Sequence, residues 1–110
     1  MVRGTTPILT MQINSDIDFD DIKEIWVTVK DKFAELNYSL SDQLVTVDAE
    51  NKIITVVMSQ EDTLSLHEPN VNMQVRLLTN GNIAYASAIK TVLLSDILKE
   101  GVIEWLSLLT

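Results

Sequence analysis

Residues 71 to 94, VNMQVRLLTNGNIAYASAIKTVLL, constrain this chain more than any other stretch, because two strand-like runs flank Asn80-Gly81 there. Val71, Met73, Val75 and Leu77 alternate with Asn72, Gln74 and Arg76, a period of two that puts one set on each face of a strand. Asn-Gly between two such runs is the sequence signal of a β-hairpin. A slip of one residue would turn every apolar group to the wet face, so the pattern specifies its own register. The returning run, Ala84-Tyr85-Ala86-Ser87-Ala88, has no clean phase. It is a candidate place for a β-bulge, which leaves the facing of Tyr85 open.

The same two-residue rhythm recurs through the chain. Leu9, Met11 and Ile13 alternate with Thr10 and Gln12, and the acidic segment from Asp16 to Asp21 follows as a loop. Ile25, Val27 and Val29 mark a second strand whose other face carries Trp26, Thr28 and Lys30. After a turn at Asp31-Lys32, Ala34, Leu36, Tyr38 and Leu40 share one face of a third, which places Tyr38 in the core. Val45 and Val47 predict a fourth strand, Asp48 to Lys52 a turn, and Ile54, Val56 and Met58 a fifth. Ser59 then stands where a helix N-cap belongs, with Glu61 and Asp62 in the first turn beside its exposed amides. Asp62 takes the place where a full capping box has Glu or Gln. The spacing predicts one or two helical turns, ending near Leu66 before Pro69. About seven short strands joined by turn signals predict an all-β sandwich or barrel, not alternating strands and helices.

With 110 residues, 46% of them apolar, the chain is one domain with enough material for a core. Its 16 acidic and 8 basic residues leave a net charge of −8. That balance argues against nucleic acid, which needs a Lys/Arg surface, and against anionic membranes. There is no cysteine, so disulfides, thiolate nucleophiles and Cys-based zinc sites are excluded; a reducing compartment would suit such a chain. No run reaches the ~18 apolar residues of a membrane span, and MVRGTTPILTMQI lacks the apolar core of a secretion signal.

Chemistry-bearing motifs are few. Asp16, Asp18 and Asp20 form a D-x-D-x-D string like the opening of a calcium loop, but Asp21 stands where Gly is needed and Val27 where Glu is needed. A solvated acidic loop anchored in the core by Ile17 and Phe19 is the simpler expectation. His67 is the only histidine, and beside Glu68 and Pro69 it reads as a surface loop residue. There is no G-x-S-x-G, and three glycines make no phosphate cradle. The 16 acids offer pairs of the kind used on glycosides, yet nothing singles one out. No catalytic residue, metal ligand or cofactor is therefore assigned, and an enzyme is not expected.

Two features point to binding. Trp26 is out of phase with Ile25, Val27 and Val29, so it belongs on the outer face of its strand, where it either is covered or serves to anchor a protein or stack a sugar. The ending SDILKEGVIEWLSLLT carries Val102, Ile103, Trp105, Leu106, Leu108 and Leu109, too apolar for a free tail. Gly101 interrupts it. It is expected either to pack on its own sandwich or to dock on a neighbouring subunit.

In combination, Arg3-Gly4-Thr5-Thr6-Pro7, Ile25-Trp26-Val27-Thr28-Val29, Met58-Ser59-Gln60-Glu61-Asp62-Thr63-Leu64 and Val71-Asn72-Met73-Gln74-Val75-Arg76 before Asn80-Gly81 resemble small virion-associated proteins of phages and prophages of Gram-positive gut bacteria. The order is also similar to the immunoglobulin-like N-terminal domain of lactococcal phage baseplate upper proteins. The resemblance spans about residues 3 to 100, and its motifs are structural. It implies an all-β, Ig-like antiparallel β-sandwich of about seven strands with one short helical crossover, over residues 1 to 100. The apolar docking segment at 101 to 110 is read from its own residues and is longer than the group's pattern. The resemblance further implies a non-enzymatic virion structural protein of the tail, baseplate or head surface, made in the bacterial host cytoplasm. Expected partners are other virion proteins or copies of itself in a homo-oligomer or larger assembly, with no nucleic acid and no membrane. The alternative from another class is a glycan- or host-surface-binding module using exposed aromatics such as Trp26.

Overall fold

A computed structural model describes residues 1 to 96 of the chain. Eight strands and one short helix follow in order: β1 (Ile8–Gln12), β2 (Ile22–Lys30), β3 (Glu35–Ser39), β4 (Val45–Asp48), β5 (Ile53–Val57), α1 (Gln60–Ser65), β6 (Asn70–Thr79), β7 (Ala84–Ala86) and β8 (Lys90–Leu93). All strand pairings within the sheets are antiparallel. One sheet has the order β1-β5-β4 and the other β3-β2-β6-β7, with β8 also paired to β6. Together they form an all-β sandwich. Its strand order corresponds to B-E-D facing C′-C-F-G of an immunoglobulin-type arrangement, and α1 is the crossover from β5 in one sheet to β6 in the other.

The core follows the alternation. Ile25, Val27 and Val29 of β2 and Val71, Val75 and Leu77 of β6 form one buried core with Val45, Ile54 and Val56 of the other sheet and with Met58 just beyond β5. Leu9 and Met11 of β1 are half-buried on the same side. Tyr38 is buried as its phase predicts, and its hydroxyl donates to Asp62 Oδ2 at 2.7 Å. Burial and that carboxylate together push the Tyr38 pKa well up. The helix is capped as expected: Ser59 Oγ accepts from the Asp62 amide at 3.1 Å, and the helix ends with Leu66 as C-cap.

The hairpin differs from the simplest expectation in its turn. The left-handed residue is Asn82 (φ 62°) rather than Gly81. The Asn82 amide donates to the Thr79 carbonyl at 3.0 Å, and the Thr79 amide donates to Ile83 O at 2.9 Å. This is a longer loop, a turn followed by one left-handed residue, which suits strand twist equally well. The returning strand is also split. β6 pairs Arg76 with Ala86 but Met73 with Lys90, so three residues, Ser87 to Ile89, oppose two, Gln74 and Val75. The extra residue makes a bulge, which explains the missing phase and gives eight strands instead of seven. Ser87 Oγ holds the bulge by accepting from the Val75 amide at 2.9 Å. Ser87→Ala leaves that partly buried amide without its acceptor and is expected to lower stability by about 1–2 kcal/mol in urea unfolding.

Gln43 (φ 63°) also occupies the left-handed region, in the turn between β3 and β4. A side chain there is strained by about 1–2 kcal/mol, so Gln43→Gly is expected to raise the urea midpoint, by a net gain of about 0.5–1 kcal/mol after the unfolded-state entropy of glycine is set against the relief.

Candidate functional site

The outer face of the larger sheet collects the polar half of each alternating strand. Cross-strand pairing sets Ser39, Trp26, Arg76 and Ala86 in one row, Asn37, Thr28 and Gln74 in the next, and Glu35, Lys30, Asn72 and Thr91 in a third. Trp26 lies at the centre of this face and is 50% exposed, in agreement with its phase. The guanidinium carbon of Arg76 lies 5.4 Å from the Trp26 ring centroid, a cation–π contact that occupies one face of the indole. The surrounding polar groups are tied together: Thr28 Oγ1 donates to Asn37 Oδ1 at 2.8 Å and Asn37 Nδ2 to Glu35 Oε2 at 3.1 Å. The hydrogen bond from Asn37, and then the nearby Lys30 ammonium, hold the Glu35 carboxyl below its usual range. Glu24 borders the same face; burial alone would raise its pKa, but bonds from the Ser41 side chain and from the Ile25 and Ser41 amides bring it down. Trp26, Asn37, Asn72, Gln74 and Asp42 share an open concavity of about 940 Å³ with Ile89 at its rim.

Arg76→Ala removes the cation over Trp26 and is expected to change stability by less than about 1 kcal/mol, while shifting Trp26 fluorescence; comparison with the Trp105→Phe background isolates that signal.

Other candidates fall elsewhere. The Asp16–Asp21 loop folds locally: Asp18 Oδ1 accepts from the Asp20 amide at 3.0 Å, capping a short 3-10 turn, and the Asp21 carbonyl accepts from the Asn80 amide at 2.8 Å. Phe19 is buried and Ile17 half-buried, as anchors of the loop. Among the described residues no three His, Asp or Glu side chains converge as a metal cage would require. His67 is exposed in the loop after α1, with its ring edge-on to Phe33 at 5.1 Å between centroids. Tyr85 is exposed at the margin of the sandwich, beside Ile13 and Ile17 in a smaller concavity of about 310 Å³. Val102, Ile103, Trp105, Leu106, Leu108 and Leu109 lie outside the described residues.

Apolar exposure was less legible in the pattern. Ten large apolar side chains are exposed among the described residues. Ile8 of β1 pairs with Val57 of β5, and Leu44, one residue ahead of the Val45–Val56 pair, falls at the same level. Ile8 and Val57 form an exposed apolar pair on the outer face of the smaller sheet, and Leu44 is exposed just ahead of β4. The signal was present in the alternation, since Ile8 and Val57 sit at outward positions, but hydrophobicity alone does not separate a wet isoleucine from a core one. Comparison with protein-family models, with curated proteins and with solved structures finds no match for this chain.

Proposed function

We propose that this chain is a non-enzymatic structural protein of a phage virion, a tail, baseplate or head-decorating component that works through protein–protein assembly. The observation that carries the assembly role is the exposed apolar pair Ile8 and Val57 on a chain of net charge −8, together with further exposed apolar side chains such as Leu44, Phe33 and Leu93. Exposed apolar side chains grouped on a surface are characteristic of contact with neighbours. The virion setting rests on the resemblance, to which the sandwich, the short crossover helix and the hairpin correspond in order. Partners are then other virion proteins or further copies of the chain. Mass spectrometry of phage particles purified through a density gradient tests the assignment. The chain is expected at a fixed ratio to the other particle proteins; its absence from particles, while abundant in the same lysate, overturns the reading.

A specific observation also favours a second reading. Trp26 stands in an open concavity with Asn37, Asn72 and Gln74, a combination of aromatic and amide groups that can stack and hydrogen-bond a sugar. In that case the full chain is retained on a glycan array and Trp26→Ala abolishes retention with the far-UV spectrum unchanged. Equal binding by both proteins removes the sugar-stacking role.

A further inference from the structure

We propose that β7 is a self-pairing edge, through which two copies of this chain join antiparallel to make one continuous sheet. Among the described residues, the strand is the open end of its sheet. Its ladder to β6 uses Ile83, Tyr85 and Ser87: the Thr79 amide donates to Ile83 O, Tyr85 pairs with Leu77, and the Ser87 amide donates to Val75 O at 2.8 Å. By the alternation of antiparallel ladders, the N–H and C=O groups of Ala84 and Ala86 point away from β6 toward the free edge. The neighbouring β8 is not open in the same way. Leu93 O accepts from the N-terminal ammonium at 2.9 Å, and Ser95 exchanges backbone bonds with Met1 and Arg3. The chain's own first residues therefore cover that part of the edge, and among the described residues the gap in cover begins at β7.

Charge selects the occupant. From Leu77 to Ile89 thirteen residues carry no charge, and from Gly4 to Ser15 twelve more carry none, in a chain with 24 charged residues in 110. These two stretches include β7 and β1, which border the concavity beside Tyr85 and so form one lateral wall of the sandwich. The opposite wall is marked by Glu35 in β3 and Asp48 in β4. Charged side chains at sheet edges are the usual protection against pairing with another chain, and β7 itself, Ala84-Tyr85-Ala86, carries none. Two copies that each carry a net charge of −8 meet with little repulsion across such a neutral strip. A two-fold axis at Tyr85 sets Ala84 opposite Ala86 of the second copy, so that the free donors and acceptors of both copies meet. The same operation brings the two Tyr85 rings together over the mouths of the two concavities. Ala84 and Ala86 place only methyl groups at the joint, and the closed two-fold contact stops at a dimer.

The self-pairing edge rests on the assembly reading above, yet the two fail separately: particle composition tests the reading, and solution mass tests the edge. Light scattering of the full chain over a range of concentrations is expected to give a dimer. Ala86→Pro deletes an N–H that β6 does not use, as proline at a free edge permits, and Ala84→Glu, opposite Leu78 and not Arg76, puts like charges at the joint. Each is expected to weaken dimerisation by at least about tenfold, with the far-UV spectrum unchanged; if one of them fails to fold, Ala84→Asp serves in its place. A monomeric wild-type chain, an assembly that grows without limit, or a dimer that a folded variant does not weaken overturns the proposal.

Discussion

Arg3→Met is expected to lower the stability of the chain by about 3 kcal/mol, although the residue lies in a leader whose composition looks like a polar arm. Its side chain is buried, at 3% exposure. The guanidinium donates from Nε to Leu66 O at 2.7 Å and from Nη2 to Leu64 O at 2.9 Å, and Nη1 donates to Asp96 Oδ1 at 2.7 Å. The first two acceptors lie at the end of α1, where carbonyls have no partner within the helix and a cation is favoured. Removing the fork leaves both without a donor, at about 1–3 kcal/mol each. Lysine keeps the charge but not the planar set of donors, so Arg3→Lys is expected to recover less than half of the loss. Asp96→Ala is the control. Its carboxylate is 77% exposed, and exposed ion pairs contribute about 0–1 kcal/mol. Urea unfolding that puts Arg3→Met within 1 kcal/mol of the wild type would refute this role.

A second large effect is expected at Asp31, which is 8% exposed and is held by backbone amides. Its Oδ1 accepts from the amides of Phe33 at 2.7 Å and Ala34 at 2.9 Å, and its Oδ2 from those of His67 at 2.7 Å and Glu68 at 3.0 Å. Glu68 reciprocates by accepting from the Lys32 amide at 3.0 Å. The carboxylate thus clips the β2–β3 turn to the segment between α1 and β6. Asp31→Ala is expected to cost about 3–4 kcal/mol, since four amides lose a charged acceptor. Asp31→Asn should be nearly as damaging, because one of its two terminal groups becomes a donor facing donors. Burial by itself raises the Asp31 pKa, but the four amides outweigh it and hold the group below its ordinary value. A lowered folded pKa stabilises the chain above the unfolded value of about 3.9, and that contribution is lost as pH falls through the folded one. Urea melts at pH 7 and pH 3 should therefore converge more in Asp31→Asn than in the wild type. A residual slope should remain from Glu24, Glu35 and Asp48, whose pKa values are also lowered. Equal pH dependence in the two proteins would remove Asp31 from the acid response.

These two residues also show where sequence reasoning stops. Strands were legible because each sheet has one wet face, so Ile25, Val27 and Val29 could be separated from Trp26 by phase alone. The cap at Ser59 was legible because a hydroxyl and the amide that it accepts from lie within one turn. Arg3 and Asp31 have partners 63 and 36 residues away, and nothing local distinguishes a buried arginine from a solvated one. The bulge at Ser87 was visible only as lost alternation; its position came from the register on both sides. The position of Trp26 was likewise legible, but its partner Arg76 was set by the β2–β6 register, which the hydrophobic pattern leaves open within steps of two. Free strand edges carry no pattern of their own either. The uncharged stretches at β1 and β7 became one wall only when the topology placed both at the same side.

Amide hydrogen exchange of the full chain, free at low concentration and held in purified particles, tests most directly whether this sandwich works by docking on its neighbours. If it does, slowed exchange in the particle falls on Ala84 and Ala86 and on the outward amides of β1, while Glu35–Ser39 keeps its free rates. Slowing confined to the β3 and β4 edges, or no slowing at all, would contradict assembly through the uncharged wall.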